Sequence, residues 1–89
     1  MTEQRADGGA DRRILDRISE MVAAERDLRA ALAEGRIDPL TERRELKDLE
    51  ERLDQCWDLL RQRRARVDAG EDPGRAGVRS VEEVERYES

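Results

Sequence analysis

The sequence predicts an all-α protein: an antiparallel two-helix hairpin, coiled-coil-like, with a short C-terminal helix, dimerising into a four-helix bundle. Three observations predict it. Charged residues make up 46% of the 89 residues and aromatics 2%, a composition suited to long helices and too polar for a large core. Apolar residues recur at alternating three- and four-residue steps along two stretches, the signature of helices that pack along a seam. Between those stretches lies "AEGRIDPL", which joins a helix stop to a helix start.

Residues 1–10 are polar and contain glycine, and read as a disordered tail. No apolar stretch follows the early charges, so this segment is not a secretory signal. Asp11 is placed to cap a first helix by accepting from its free N–H groups. The seam then runs through Ile14, Ile18, Met21, Leu28 and Leu32, with Glu25 as a polar member and Leu15 and Val22 widening the apolar face. Gly35 suits the left-handed position after a helix, and Asp38-Pro39 suits an N-cap followed by the first helical residue. The second helix is predicted from Pro39 to about Ala69, with Leu46, Leu49, Leu53, Cys56, Leu60, Arg63 and Val67 in its seam. Trp57 and Leu59 flank that seam. The hairpin thus occupies residues 11–70. Gly70 and Asp72-Pro73-Gly74 end it, and residues 71–89 form a Gly/Pro linker and a short acidic helix. Ser80 and Glu83 make a capping box over that helix, which carries Val81, Val84 and Tyr87.

A short loop turns the second helix back along the first. One register then pairs Leu28 with Leu46, Glu25 with Leu49, Met21 with Leu53, Ile18 with Cys56 and Ile14 with Leu60. The same register sets Asp11 opposite Arg63. Two helices cannot by themselves bury faces as wide as these, which predicts a homodimer.

Chemistry is scarce. The chain has no histidine and one cysteine, which removes the commonest general base and the commonest metal ligand. Cys56 has neither a histidine to activate it nor a second thiol for zinc, and its seam position makes it a core thiol. A redox-sensing contact between two copies of Cys56 is the alternative role for it. Adjacent acids such as Glu50-Glu51 diverge on a helix, so no metal site is expected, nor any cofactor or catalytic residue. Glu25 is expected to pair with Arg29 or Arg52. Acids outnumber bases 23 to 18, giving a net charge of −5, and the mixing of signs argues against a generic nucleic-acid or membrane-surface protein. No apolar run reaches the roughly 18 residues that span a bilayer. A lone thiol fits a cytoplasmic protein.

The candidate partner-binding residues are Trp57 and the cluster Arg61, Arg63, Arg64 and Arg66. Tryptophan is the residue most often found as a binding hot spot, although its place beside the seam also suits a core or dimer-interface anchor. The arginines are expected where the second helix runs past the start of the first. There they would meet an unidentified protein partner, the phosphates of a nucleic acid, or the chain's own residues 70–89, which hold six acids against three bases.

The stretch "LDQCWDLLRQRRARVDAGEDP" and the later "VRSVEEVERY" resemble a short bacterial family known mainly from high-GC Gram-positive genomes, a domain of unknown function. The likeness covers roughly Ile14 to Tyr87 and is most specific over Leu53 to Pro73. Family members usually have proline where Ser80 stands here, and "TEQRADGGA" resembles a variable tail. The resemblance implies a small, soluble, cytoplasmic helical protein and supplies no activity or site residue. Together these observations point to a non-catalytic protein–protein interaction or scaffold module, with a nucleic-acid-associated regulator as the alternative.

Overall fold

A computed structural model describes residues 2–88, and the side chains of residues 9–86. Among these the chain is all-helical. Three α-helices follow in order, α1 (Thr2–Ala33), α2 (Pro39–Asp68) and α3 (Val81–Glu88), with one 3-10 turn, Pro73–Arg75, before the last. The molecule measures 50 × 28 × 14 Å. Its shortest dimension is little more than the diameter of one helix with its side chains, so α1 and α2 form a single layer.

The connection between the long helices is built as the sequence predicts. Gly35 has φ +73°, and the N–H groups of Gly35 and Arg36 donate back to the carbonyls of Leu32 and Ala31. This is the paired closure that spends two of the last free carbonyls of a helix. Asp38 then caps α2, its Oδ1 accepting from the N–H of Thr41 at 2.7 Å. That bond holds the Asp38 carboxyl below its ordinary value. Pro39 follows as the first helical residue. The same closure ends α2, where Gly70 has φ +74° and Gly70 and Glu71 donate to Val67 and Arg66.

The start of α1 differs from expectation. The helix begins at Thr2, so it runs back through the residues that read as a tail, and Asp11 lies inside it and caps nothing. Met1 lies outside the described residues. Glu3, Gln4, Arg5 and Ala6 are tolerant helix formers, and extending a formed helix adds one hydrogen bond per residue fixed. Gly8 and Gly9 oppose this by about 1 kcal/mol each, too little to stop propagation. Asp11 instead accepts a hydrogen bond from Nε of Arg63. Because α1 continues beyond that contact, α2 does not overhang it, and the arginine cluster lies alongside α1.

Ile18, Met21 and Leu53 form the buried core, with Ile14, Leu49, Cys56 and Leu60 packed around it. The residues expected to face each other, Met21 with Leu53 and Ile18 with Cys56, thus share one cluster. Glu25 reaches Arg29 at 3.8 Å, one of its two expected partners, and Arg52 pairs instead with Asp48 at 3.2 Å. After α2 the chain folds back onto it. Pro73 is buried and Val84 is wholly buried. Ser80 caps α3, its Oγ accepting from the N–H of Glu83 at 3.3 Å and donating to Glu83 Oε1 at 3.2 Å. Tyr87 lies in α3, and its side chain is outside those described.

Candidate functional site

The arginine cluster divides when its partners are traced. Arg63 is 7% exposed. Its Nε binds Asp11 and its Nη1 donates to the carbonyl of Pro73 at 3.1 Å. It therefore joins α1, α2 and the C-terminal segment from within, and it is not a surface for partners. A seam position places it there, since a guanidinium on that line must find acceptors inside the chain. Arg66 pairs with Glu71 at 3.1 Å, a local link to the acidic segment. Arg61 lies 3.8 Å from Asp58 and keeps 55% of its side chain exposed. Arg64 is exposed. Trp57 is 45% exposed, so within one copy it is no core residue. It lines a shallow hollow of about 200 Å³ with Leu15, Leu60, Asp11, Arg61 and Arg64. The structure thus keeps Trp57, Arg61 and Arg64 together on one face and turns Arg63 inward.

The C-terminal segment is held by groups that the sequence did not single out. Asp58 is 1% exposed. Its carboxylate accepts from Arg79 twice, Nη2 to Oδ1 at 2.6 Å and Nε to Oδ2 at 2.9 Å, and from Gln62 Nε2 at 2.9 Å. The Arg79 bonds, then Gln62, outweigh burial and hold the Asp58 carboxyl below its ordinary value. Gln55 donates to the carbonyl of Arg79 at 3.1 Å and Gln62 to that of Gly77 at 2.7 Å. Asp58 faces away from the helix seam, where an acid normally signals solvent. Only its fixed two-pronged partner, 21 residues on, makes it structural.

The face of α1 and α2 that this segment borders carries a groove. Two hollows follow one another along it. One of about 490 Å³ is lined by Arg17, Glu20, Arg52, Cys56, Leu59 and Val78, among others. The other, about 500 Å³, is lined by Ala24, Asp27, Arg36, Glu45, Asp48 and neighbours. The small side chain of Ala24, half-buried, keeps the groove low at its middle. Charge is biased between the halves: Arg17 and Arg52 with Glu20 in the first hollow, Asp27, Glu45 and Asp48 with Arg36 in the second, and Asp48 pairs with Arg52 where the two meet. Cys56 is a free thiol in the first hollow. Burial pushes its thiol up, Arg17 pulling more weakly the other way, so it is a poor source of thiolate. Among the described residues no three His, Cys, Asp or Glu side chains cluster to hold a metal. No helix among them is long and apolar enough to cross a membrane.

Over the described residues the chain is a thin, all-helical, mostly polar protein. It belongs to the family described as "Protein of unknown function (DUF2630)", whose model matches residues 10–89. The chain is 48% identical over 77 residues to "Uncharacterized protein Rv0898c" of Mycobacterium tuberculosis and to "Uncharacterized protein Mb0922c" of Mycobacterium bovis. Each match covers 86% of this chain and 88% of the relative. The family match and the mycobacterial relatives agree with the bacterial, high-GC resemblance of the sequence. No solved structure matches the chain.

Proposed function

We propose that the chain is a non-catalytic interaction module: an antiparallel hairpin, braced by its own C-terminal segment, that joins a second copy through the grooved face to make a four-helix bundle. The observation that carries this reading is the bias of charge along the groove, net positive around Arg17 and Arg52 and net negative around Asp27, Glu45 and Asp48. A two-fold axis across its middle brings Arg17 and Arg52 of one copy to Asp27, Glu45 and Asp48 of the other. The surface is self-complementary, as a symmetric dimer requires.

Surface area supports the same reading. The chain exposes 6806 Å², whereas a compact monomer of its mass exposes about 5,400 Å². The excess is of the order that a specific dimer buries on each partner. Lack of histidine and a protonated Cys56 thiol favour a non-catalytic role, and a lone thiol is stable in the cytoplasm. The alternative, phosphate binding through the arginine-rich end, loses ground because Arg63 is buried and Arg61 and Arg66 have carboxylate neighbours.

Sedimentation equilibrium at tens of micromolar tests the dimer. The wild type is expected at twice the chain mass and the Ala24→Glu variant, which fills the groove with a charge, at the chain mass. A folded wild-type monomer at that concentration would end the proposal.

A further inference from the structure

The opposite face of the two long helices has a different character. Along α1, Arg12, Leu15, Val22, Arg26 and Arg29 recur at helical spacing on one side, and along α2 so do Lys47, Trp57, Arg61 and Arg64. The two stripes are neighbours, since Leu15 and Trp57 line the same hollow with Arg61 and Arg64. All nine residues are exposed. Leu15, Val22 and Trp57, at 45%, 42% and 45% exposure, make an apolar middle. Glu50 and Asp54 are the acids on the α2 stripe, and Ser19 completes the α1 stripe. Asp11 lines the hollow as well, so the face holds six basic side chains against three acidic ones, in a protein whose net charge is −5.

We infer that this face is a docking site for an acidic amphipathic helix of another protein. A second copy is the wrong occupant. Arg12, Arg61 and Arg64 mark one end and Arg26, Arg29 and Lys47 the other, so a two-fold axis here sets positive ends on positive ends. A nucleic acid is also a poor match, because its phosphates would pass over Glu50 and Asp54 and leave Leu15 and Val22 unanswered. A third helix laid along the pair answers both parts of the surface. Its apolar stripe covers Leu15, Val22 and Trp57, and its flanking carboxylates meet the arginines at the rim. From residue 12 to residue 29 the face is about 26 Å long at 1.5 Å per residue, which suits a partner helix of four to five turns. The inference goes beyond the proposed dimer and uses a different face.

The probe is a synthetic peptide of about three heptads with leucine in the apolar stripe and glutamate on both flanks, titrated into the full chain by calorimetry. Binding in the micromolar range is expected. Arg26→Glu with Arg64→Glu should weaken it at least tenfold, and Trp57→Ser by about tenfold, with helix content unchanged because all three side chains are exposed. The lysine-flanked version of the peptide should not bind. Ala24→Glu, which breaks the proposed dimer, should bind the acidic peptide as the wild type does, so the two ideas fail separately. The inference is overturned if the acidic peptide does not bind, or if the arginine variant binds it equally. Tighter binding of a DNA duplex or of phosphatidylglycerol vesicles than of the peptide also overturns it.

Discussion

Asp58 carries its charge at 1% exposure, and its partner Arg79 keeps 28% of its side chain in water. The pair is therefore asymmetric. Removing the guanidinium strands a buried carboxylate, whereas removing the carboxylate leaves an arginine that can turn outward. Arg79→Ala is expected to cost about 3 kcal/mol and Asp58→Ala about 1–2 kcal/mol, as read by chemical denaturation; equal losses would contradict this geometry. The same pair gives a pH dependence of defined sign. Its native carboxyl is depressed, so the stabilisation is complete above the unfolded value of about 3.9 and fades as pH falls through the native one. Protection of the Val84 amide against hydrogen exchange, taken relative to the free-peptide rate at each pH, should therefore fall in acid, below the ordinary carboxylate range, and Asp58→Asn should remove that step. Arg63 makes a second residue-scale case. Arg63→Ala removes a buried guanidinium from Asp11 and from the Pro73 carbonyl, and about 2–3 kcal/mol should be lost. A loss within experimental error would return Arg63 to the surface cluster.

Elements were legible in the sequence where their signals were local. Gly35, Asp38-Pro39, Gly70 and Ser80 with Glu83 each act within one turn of helix, and each stands where the spacing put it. The seam was legible for the same reason, since heptads on two stretches constrain one another and bring Met21 and Leu53 into one cluster. Two things were not legible. The start of α1 was misplaced because Gly8 and Gly9 resemble a stop, although their cost is small beside a helix already nucleated. The hold of Asp58 on Arg79 was missed because it depends on the path of residues 69–80, which follows no repeat. The candidate site was legible in part: Trp57, Arg61 and Arg64 stay together on a surface, while Arg63 belongs to the interior. A test at this scale lies in the connection. Gly35→Ala meets no atom within 4 Å, so its penalty is backbone strain alone, about 1–2 kcal/mol, and Gly35→Asn should lose less because Asn visits that region more readily. If both variants unfolded at the wild-type denaturant midpoint, the left-handed turn would not be a determinant of the fold.

At the scale of the whole molecule, three surfaces share the work around one thin layer. The C-terminal segment covers the outer side of α2, a groove with a charge bias along its length borders it, and a net-basic face with an apolar middle lies opposite. A chain this thin keeps few residues from solvent, and the proposal that it acts by joining other helices follows from that shortage. The most direct test uses charge reversal on the grooved face. One variant carries Arg17→Glu and Arg52→Glu, the other Glu45→Lys and Asp48→Lys; all four positions are exposed. Native mass spectrometry of each variant alone should give the single chain, and the mixture should give a one-to-one heterodimer. Two variants that each form homodimers as the wild type does, or a mixture that stays monomeric, would contradict the account.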